Sequence, residues 1–162
     1  MELKKSESLA GRLISDYGSG LLRLALHYLH TLPDAEDAVQ EVLLKRMLAR
    51  RGFPDQEAEK AWMIRVMINY CKDQLKAARR TDLPLSEDLT AGMATMPAAM
   101  PDTDVWEAVR ALPERYRAVV YLHYYEGYTL NEIARIMKRS ANTVQTWHQR
   151  AKERMRRFFD ET

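Results

Sequence analysis

The run Ala61–Arg80, AWMIRVMINYCKDQLKAARR, constrains the chain more than any other stretch. Ile64, Ile68, Cys71, Leu75 and Ala78 recur at spacings of four and three, which places them on one stripe of a helix. Arg65, Asn69, Lys72, Lys76 and Arg79 recur at the same spacings about a quarter-turn away, with Trp62 beside them. A long helix with one face in a core and the other carrying cations and an aromatic suits a nucleic-acid backbone and unstacked bases. A solvated charged face with Trp62 packed on a neighbouring helix meets the same pattern. The rest of the chain has to decide between them.

Helical periodicity continues on both sides. Leu9, Leu13, Ile14 and Tyr17, then Leu21, Leu22, Leu24, Ala25, Tyr28 and Leu29, follow it, with Gly18-Ser19-Gly20 either separating two helices or bending one. Pro33-Asp34 opens a further helix that Asp34 can cap. Its buried stripe is Val39, Val42, Leu43 and Met47, and Gly52 and Pro54 stop it. After Arg80 the character changes: residues 81–101 hold Pro84, Pro97 and Pro101, no basic residue and no clean period, and read as a linker. Beyond it, Val105, Trp106, Val109 and Leu112 make an amphipathic pair of turns. Pro113 starts a helix ending at Gly127, with Val119, Val120 and Leu122 in the core and tyrosines at the margins. No strand signal and no internal repeat appears. The expected fold is all-α: two small helical domains, 1–80 and 102–162, joined by a flexible linker over 81–101.

The second domain contains helix-turn-helix spacing between Thr129 and Lys152. Thr129-Leu130-Asn131-Glu132 is a capping box, and Leu130, Ile133, Ala134 and Met137 line the inner face of the helix it starts. Ser140 or Asn142 caps the last helix, with Val144 and Ala151 inward. From Thr129 to Arg157 there are eight Lys/Arg against two Asp/Glu. Cap spacing, a short turn and the basic excess together favour DNA binding over a plain helical hairpin. The overall net charge of +2 hides this unevenness.

Several classes are excluded. One cysteine, Cys71, cannot form a disulfide framework or a cysteine zinc site. His27, His30, His123 and His148 lack ligand spacing, and neither a glycine-rich phosphate loop nor a catalytic constellation is present. We expect no enzyme activity, no cofactor and no metal. MELKKSESLAGR lacks the apolar core of a signal peptide, and no run approaches the ~18 apolar residues of a membrane span. The expected location is cytoplasmic, without membrane insertion.

Three blocks in order carry a resemblance. Asp34-Ala35-Glu36-Asp37-Ala38-Val39-Gln40-Glu41-Val42 resembles the core-polymerase-binding helix of bacterial extracytoplasmic-function (ECF) sigma factors. Trp62 to Asp73 resembles that family's −10 helix. Leu112-Pro113-Glu114-Arg115-Tyr116-Arg117 through Thr129–Ala134 and Asn142-Thr143-Val144 resembles its −35-binding domain. The resemblance implies a factor that binds core RNA polymerase, places it on −10 and −35 promoter elements and helps open the duplex. It implies that Asp34, Glu36, Asp37, Gln40 and Glu41 dock on the clamp of the largest polymerase subunit. The loop Gly52 to Glu59, with Trp62, Arg65, Asn69, Lys72, Asp73, Lys76, Arg79 and Arg80, would meet the −10 element and capture an unstacked base. Arg139, Ser140, Asn142, Thr143, Gln145, Thr146, Gln149 and Arg150 would meet the −35 element. An anti-sigma factor is implied as a further partner. The last helix departs from the family: Gln145 and Trp147 stand where bases are common and His148 where an aliphatic is common, so Trp147 and His148 face either DNA or core. Two other readings stay open at this level, a helix-turn-helix regulator acting without polymerase and a sigma-like protein-binding module.

Overall fold

The computed structural model describes the backbone of residues 2–80 and 103–160 and the side chains of 8–80, 105 and 107–158. The expected linker over 81–101 and the side chain of Trp106 lie outside the described residues. The chain divides into two compact units, Met1–Thr95 and Met96–Thr162, and all regular structure among the described residues is helical.

The first unit begins with α1, Glu2–Leu13, which passes through a π-helical turn, Ile14–Gly18, into α2, Ser19–Leu29. Leu13 and Ser19, at the two joints, both keep right-handed helical backbone angles. The glycine pair therefore does not divide the helical run, which passes through it by way of the π-helical turn. His30 ends the run in the left-handed region, at φ 67°. Helix α3, Leu32–Leu48, is capped by Thr31, whose hydroxyl oxygen accepts from the Asp34 N–H at 3.4 Å. Asp34 itself lies inside the first turn, because Pro33 takes an early helical position where its missing N–H is harmless. The helix stops at Ala49, before Gly52 and Pro54 are reached, as the Ala49 N–H closes onto the carbonyls of Lys45 and Arg46.

Helix α4, Gln56–Arg80, starts five residues before the periodic run. Asp55 caps it, its carboxylate accepting from the Ala58 N–H at 2.8 Å. Ile64, Ile68, Cys71 and Leu75 are buried as expected, and Met63 and Met67 are fully buried beside them. The buried face is wider than one stripe because α2 and α3 both pack on α4. Leu13, Leu24, Tyr28, Ala35, Ala38 and Val42 complete the core.

The second unit runs through α5, Thr103–Arg110, and α6, Glu114–Val120, then a π-helical turn, Tyr121–Tyr125. Helices α7, Leu130–Met137, and α8, Ala141–Asp160, follow. Gly127, at φ 76°, supplies the reversal before α7 that a residue with a Cβ would resist. Val119, Val120 and Leu122 are buried as expected. Tyr116 and Tyr121, expected at the margins, are each 1% exposed. Their phenols have partners: Tyr121 donates to Glu126 at 2.9 Å, and Arg115 donates to Tyr116 at 3.4 Å. Val105, expected inward, is exposed, Leu130 is only partly covered, and Ile136 is buried beside Met137.

Candidate nucleic-acid and partner interfaces

The helix-turn-helix is built by local chemistry. The Thr129 hydroxyl accepts from the Glu132 N–H at 3.1 Å, and the Glu132 carboxylate accepts from the Thr129 N–H at 3.2 Å. Both halves of the expected capping box are therefore present. Lys138 ends α7 in the left-handed region at φ 52°, and the Arg139 N–H bonds back to the Ala134 carbonyl at 2.9 Å. Ser140, not Asn142, caps α8: its hydroxyl accepts from the Thr143 N–H at 3.2 Å.

That geometry aims α8. Val144 and Ala151 are fully buried. Arg139, Ser140, Asn142, Gln145, Thr146, Gln149 and Arg150 are exposed, and Thr143 is half-buried. Asn142, Gln145, Thr146 and Gln149 share the outward face by their spacing. Arg150 stands on the flank and bonds toward Tyr116; with Arg115 it holds the Tyr116 phenol below its ordinary pKa. Trp147 is half-buried and packs against the cluster of Val109, Leu112, Tyr116, Val120 and Ala151. His148 packs on His123 and Tyr124, with ring centroids 5.1 and 5.9 Å away, and burial lowers its pKa. Arg115 and Arg139 lie over the Trp147 ring at 6.0 and 5.9 Å, and Arg154 over Tyr116 at 5.4 Å. Arg115 and Arg154 thus join Arg139 and Arg150 in a cationic collar. Sequence spacing alone did not single out that pair.

The first unit presents two surfaces. On α4, Trp62, Arg65, Asn69, Lys72, Asp73, Lys76, Arg79 and Arg80 fall on one side by their spacing, opposite the buried methionines. Asn69, Asp73, Lys76, Arg79 and Arg80 are exposed, whereas Arg65, Lys72 and Trp62 are half-buried. Trp62 meets Phe53 from the loop between α3 and α4, with ring centroids 5.7 Å apart and planes at 56°. Arg46 and Arg51 lie over Phe53 at 4.8 and 5.0 Å. A lone aromatic in the otherwise polar Gly52–Glu59 loop was the signal that could have pointed to Phe53.

On α3, the residues expected to dock a partner occupy an arc, not one line. Asp34 and Asp37 line a groove with Leu29, Tyr70, Gln74, Leu75 and Ala78. Burial raises the Tyr70 pKa, and the negative charges of Glu41, Asp37 and Asp34 raise it further. Glu36 and Gln40 line a second groove on the other flank, with Ile14, Gly18, Ser19, Leu22, Val39 and Leu43. Between the flanks, Asp37 and Glu41 continue into Leu44 and Leu48, which are 50% and 71% exposed. Those leucines follow the acids at helical spacing, and hydrophobic patterning aimed at the core passes over them. Val39 and Met47, expected in the core, are only half-buried.

Comparison with known proteins fits both units. Residues 13–81 match the family described as Sigma-70 region 2, and residues 102–155 match Sigma-70, region 4. The chain is 29% identical over 157 residues to RNA polymerase sigma factor SigV of Bacillus subtilis, covering 95% of each. It is 31% identical over 144 residues to ECF RNA polymerase sigma factor SigM of Mycobacterium tuberculosis, covering 85% of this chain and 70% of the relative. Among solved structures it shares the fold of the sigma factor RpoE from Bartonella quintana, crystallised with the anti-sigma factor NepR. That likeness has TM-score 0.73 at 21% identity and covers 93% of this chain and 96% of that one. No helix among the described residues is long and apolar enough to cross a membrane. With a region 2 unit and a helix-turn-helix region 4 unit matched over most of its length, the chain belongs to the ECF sigma factors of the sigma-70 family. These are non-enzymatic proteins that bind core RNA polymerase and direct it to promoters for transcription initiation.

Proposed function

We propose that α3 is the docking element for core polymerase and that its partner is the clamp of the largest subunit. The observation that carries this is the outward face of α3, where Asp37 and Glu41 lead into exposed Leu44 and Leu48. Acids steer a cationic partner, and desolvated leucines supply affinity once it arrives. Asp34, Glu36 and Gln40 form the flanks of the same surface.

The α4 face then meets the −10 element. Arg65, Lys72, Lys76, Arg79 and Arg80 hold phosphates, Asn69 and Asp73 lie within reach of bases, and Trp62 with the Phe53 loop receives an unstacked base. On α8, Asn142, Gln145, Thr146 and Gln149 meet base edges of the −35 element in the major groove. Ser140 and Thr143 fix the helix start, and Arg139, Arg150, Arg115 and Arg154 hold the backbone on either side. Residues 81–101 tether the two readers. An anti-sigma factor is a second partner, as NepR is for the Bartonella protein, and the site of action is the cytoplasm.

The test is core affinity. Asp37→Lys with Glu41→Lys is expected to weaken binding to purified core polymerase by about tenfold or more, with helicity unchanged. Undiminished affinity in a folded variant would remove α3 as the docking element.

A further inference from the structure

Glu59 makes contacts that none of these roles uses. It sits in the first turns of α4 and is 5% exposed. Its Oε1 accepts from Arg12 Nη1 at 3.1 Å and from the Tyr17 hydroxyl at 2.7 Å. Its Oε2 accepts from Arg12 Nη2 at 3.1 Å and from Arg46 Nε at 2.8 Å, and pairs its charge with Arg46 Nη2 at 2.7 Å. A buried carboxylate is tolerated only when its lone pairs are filled, and here three side chains fill them.

Arg12 and Tyr17 tie Glu59 to the helical run of α1 and α2. Arg46 reaches further. Held edge-on by the carboxylate, its guanidinium lies over Phe53 at 4.8 Å, and Phe53 meets Trp62 at 5.7 Å. One continuous line of contacts therefore runs from a buried charge to the aromatic pair beside the α4 face. The guanidinium suits this position because it is planar, accepted side-on by a carboxylate and stacked on a ring at once; an ammonium keeps the charge and loses the plane.

We propose that Glu59 is a positioning residue for promoter opening: through Arg46 it fixes Phe53 and its loop against Trp62, so the receiving surface for an unstacked base exists before DNA arrives. This rests on the −10 reading of α4 and its loop. Base extrusion is costly, and a surface that must first be ordered offsets less of that cost than one already in place. The competing account is that Glu59 only fastens α4 to the run of α1 and α2 and to α3.

Full-length variants combined with core polymerase distinguish the two. The probe is a set of duplex fragments selected from a random-sequence library by transcription with wild-type holoenzyme. Permanganate reactivity of unpaired thymines gives the opening rate, and thermal unfolding gives stability. Arg46→Lys retains a cation for Glu59 and is expected to unfold near the wild-type temperature while opening DNA about tenfold or more slowly. Arg12→Met removes a Glu59 partner that does not touch Phe53; it is expected to lower stability and to open DNA at the wild-type rate while folded. Opening that follows stability across both variants, or wild-type opening by Arg46→Lys, overturns the proposal. Trp62→Ala separates this from the underlying reading: wild-type opening there overturns the −10 assignment itself, whereas slow opening there with normal Arg46→Lys overturns only the role of Glu59.

Discussion

In the first unit the polar group most bound into the fold, Glu59, is buried and takes its partners from residues 47, 42 and 13 positions away. In the second unit the polar groups that shape the fold, Thr129, Glu132 and Ser140, are exposed and bond to partners three residues away. On the proposed reading both devices hold a DNA-facing surface in place, but one is long-range and electrostatic and the other is local. The long-range device sets a loop that has no regular structure of its own. The local device sets a helix that would tend to start there in any case.

Removing each device should separate them. Glu59→Ala leaves Arg46 without its carboxylate and Arg12 with Asp16 at 3.6 Å, and breaking a buried ion pair by removing one partner costs up to about 3–5 kcal/mol. Amide hydrogen exchange on the full chain should show that loss in α2, α3 and α4, with α6 to α8 unaffected. Equal loosening of both units would contradict the division.

Acid should reproduce part of this effect. Arg12 most of all, then Tyr17 and Arg46, hold the Glu59 carboxyl down at about 2 against an ordinary 4.5, despite the opposing effect of burial. A carboxylate with a lowered native pKa contributes stability that is complete above the ordinary value and lost as pH falls toward the native one. The first unit of the wild type should therefore weaken between about pH 4.5 and 2, and Glu59→Gln should show a flatter dependence across that window. Identical slopes would mean that Glu59 does not titrate as its surroundings dictate.

The smallest effect belongs to the local device. Thr129→Ala removes the capping oxygen of α7 and should cost about 1 kcal/mol, seen as faster exchange in α7 and none in α4. A loss as large as that of Glu59→Ala would place the capping box in a wider network than the one observed.

The same contrast explains what could be read from the amino-acid order. The capping box and the inward Ile133, Ala134, Val144 and Ala151 follow from spacing, so the helix-turn-helix was legible. The α4 stripe was legible for the same reason, but Met63 and Met67 were not, because a second packing partner widens the buried face. Asp34 as a cap failed because Thr31 stands three residues earlier with Pro33 between them. Tyr116 and Tyr121 were misplaced because their burial depends on where a phenol finds a partner, which no periodicity reports. Glu59 had the plainest disguise: an acid near a helix start is ordinary, and only the fold brings Arg12, Tyr17 and Arg46 to it. Trp147 and His148 could face either way in the sequence, and packing leaves both half-buried, Trp147 against the core cluster and His148 against His123 and the exposed Tyr124.

The central claim is that two separate readers become a promoter-selecting device when core polymerase holds them. Transcription from a random-sequence duplex library tests it most directly, with the purified chain and core polymerase supplied together and separately. The account predicts transcripts from fragments that share two spaced boxes, and only when both are present. Sequence-specific duplex binding by the chain alone, without transcripts in the presence of core polymerase, would contradict it.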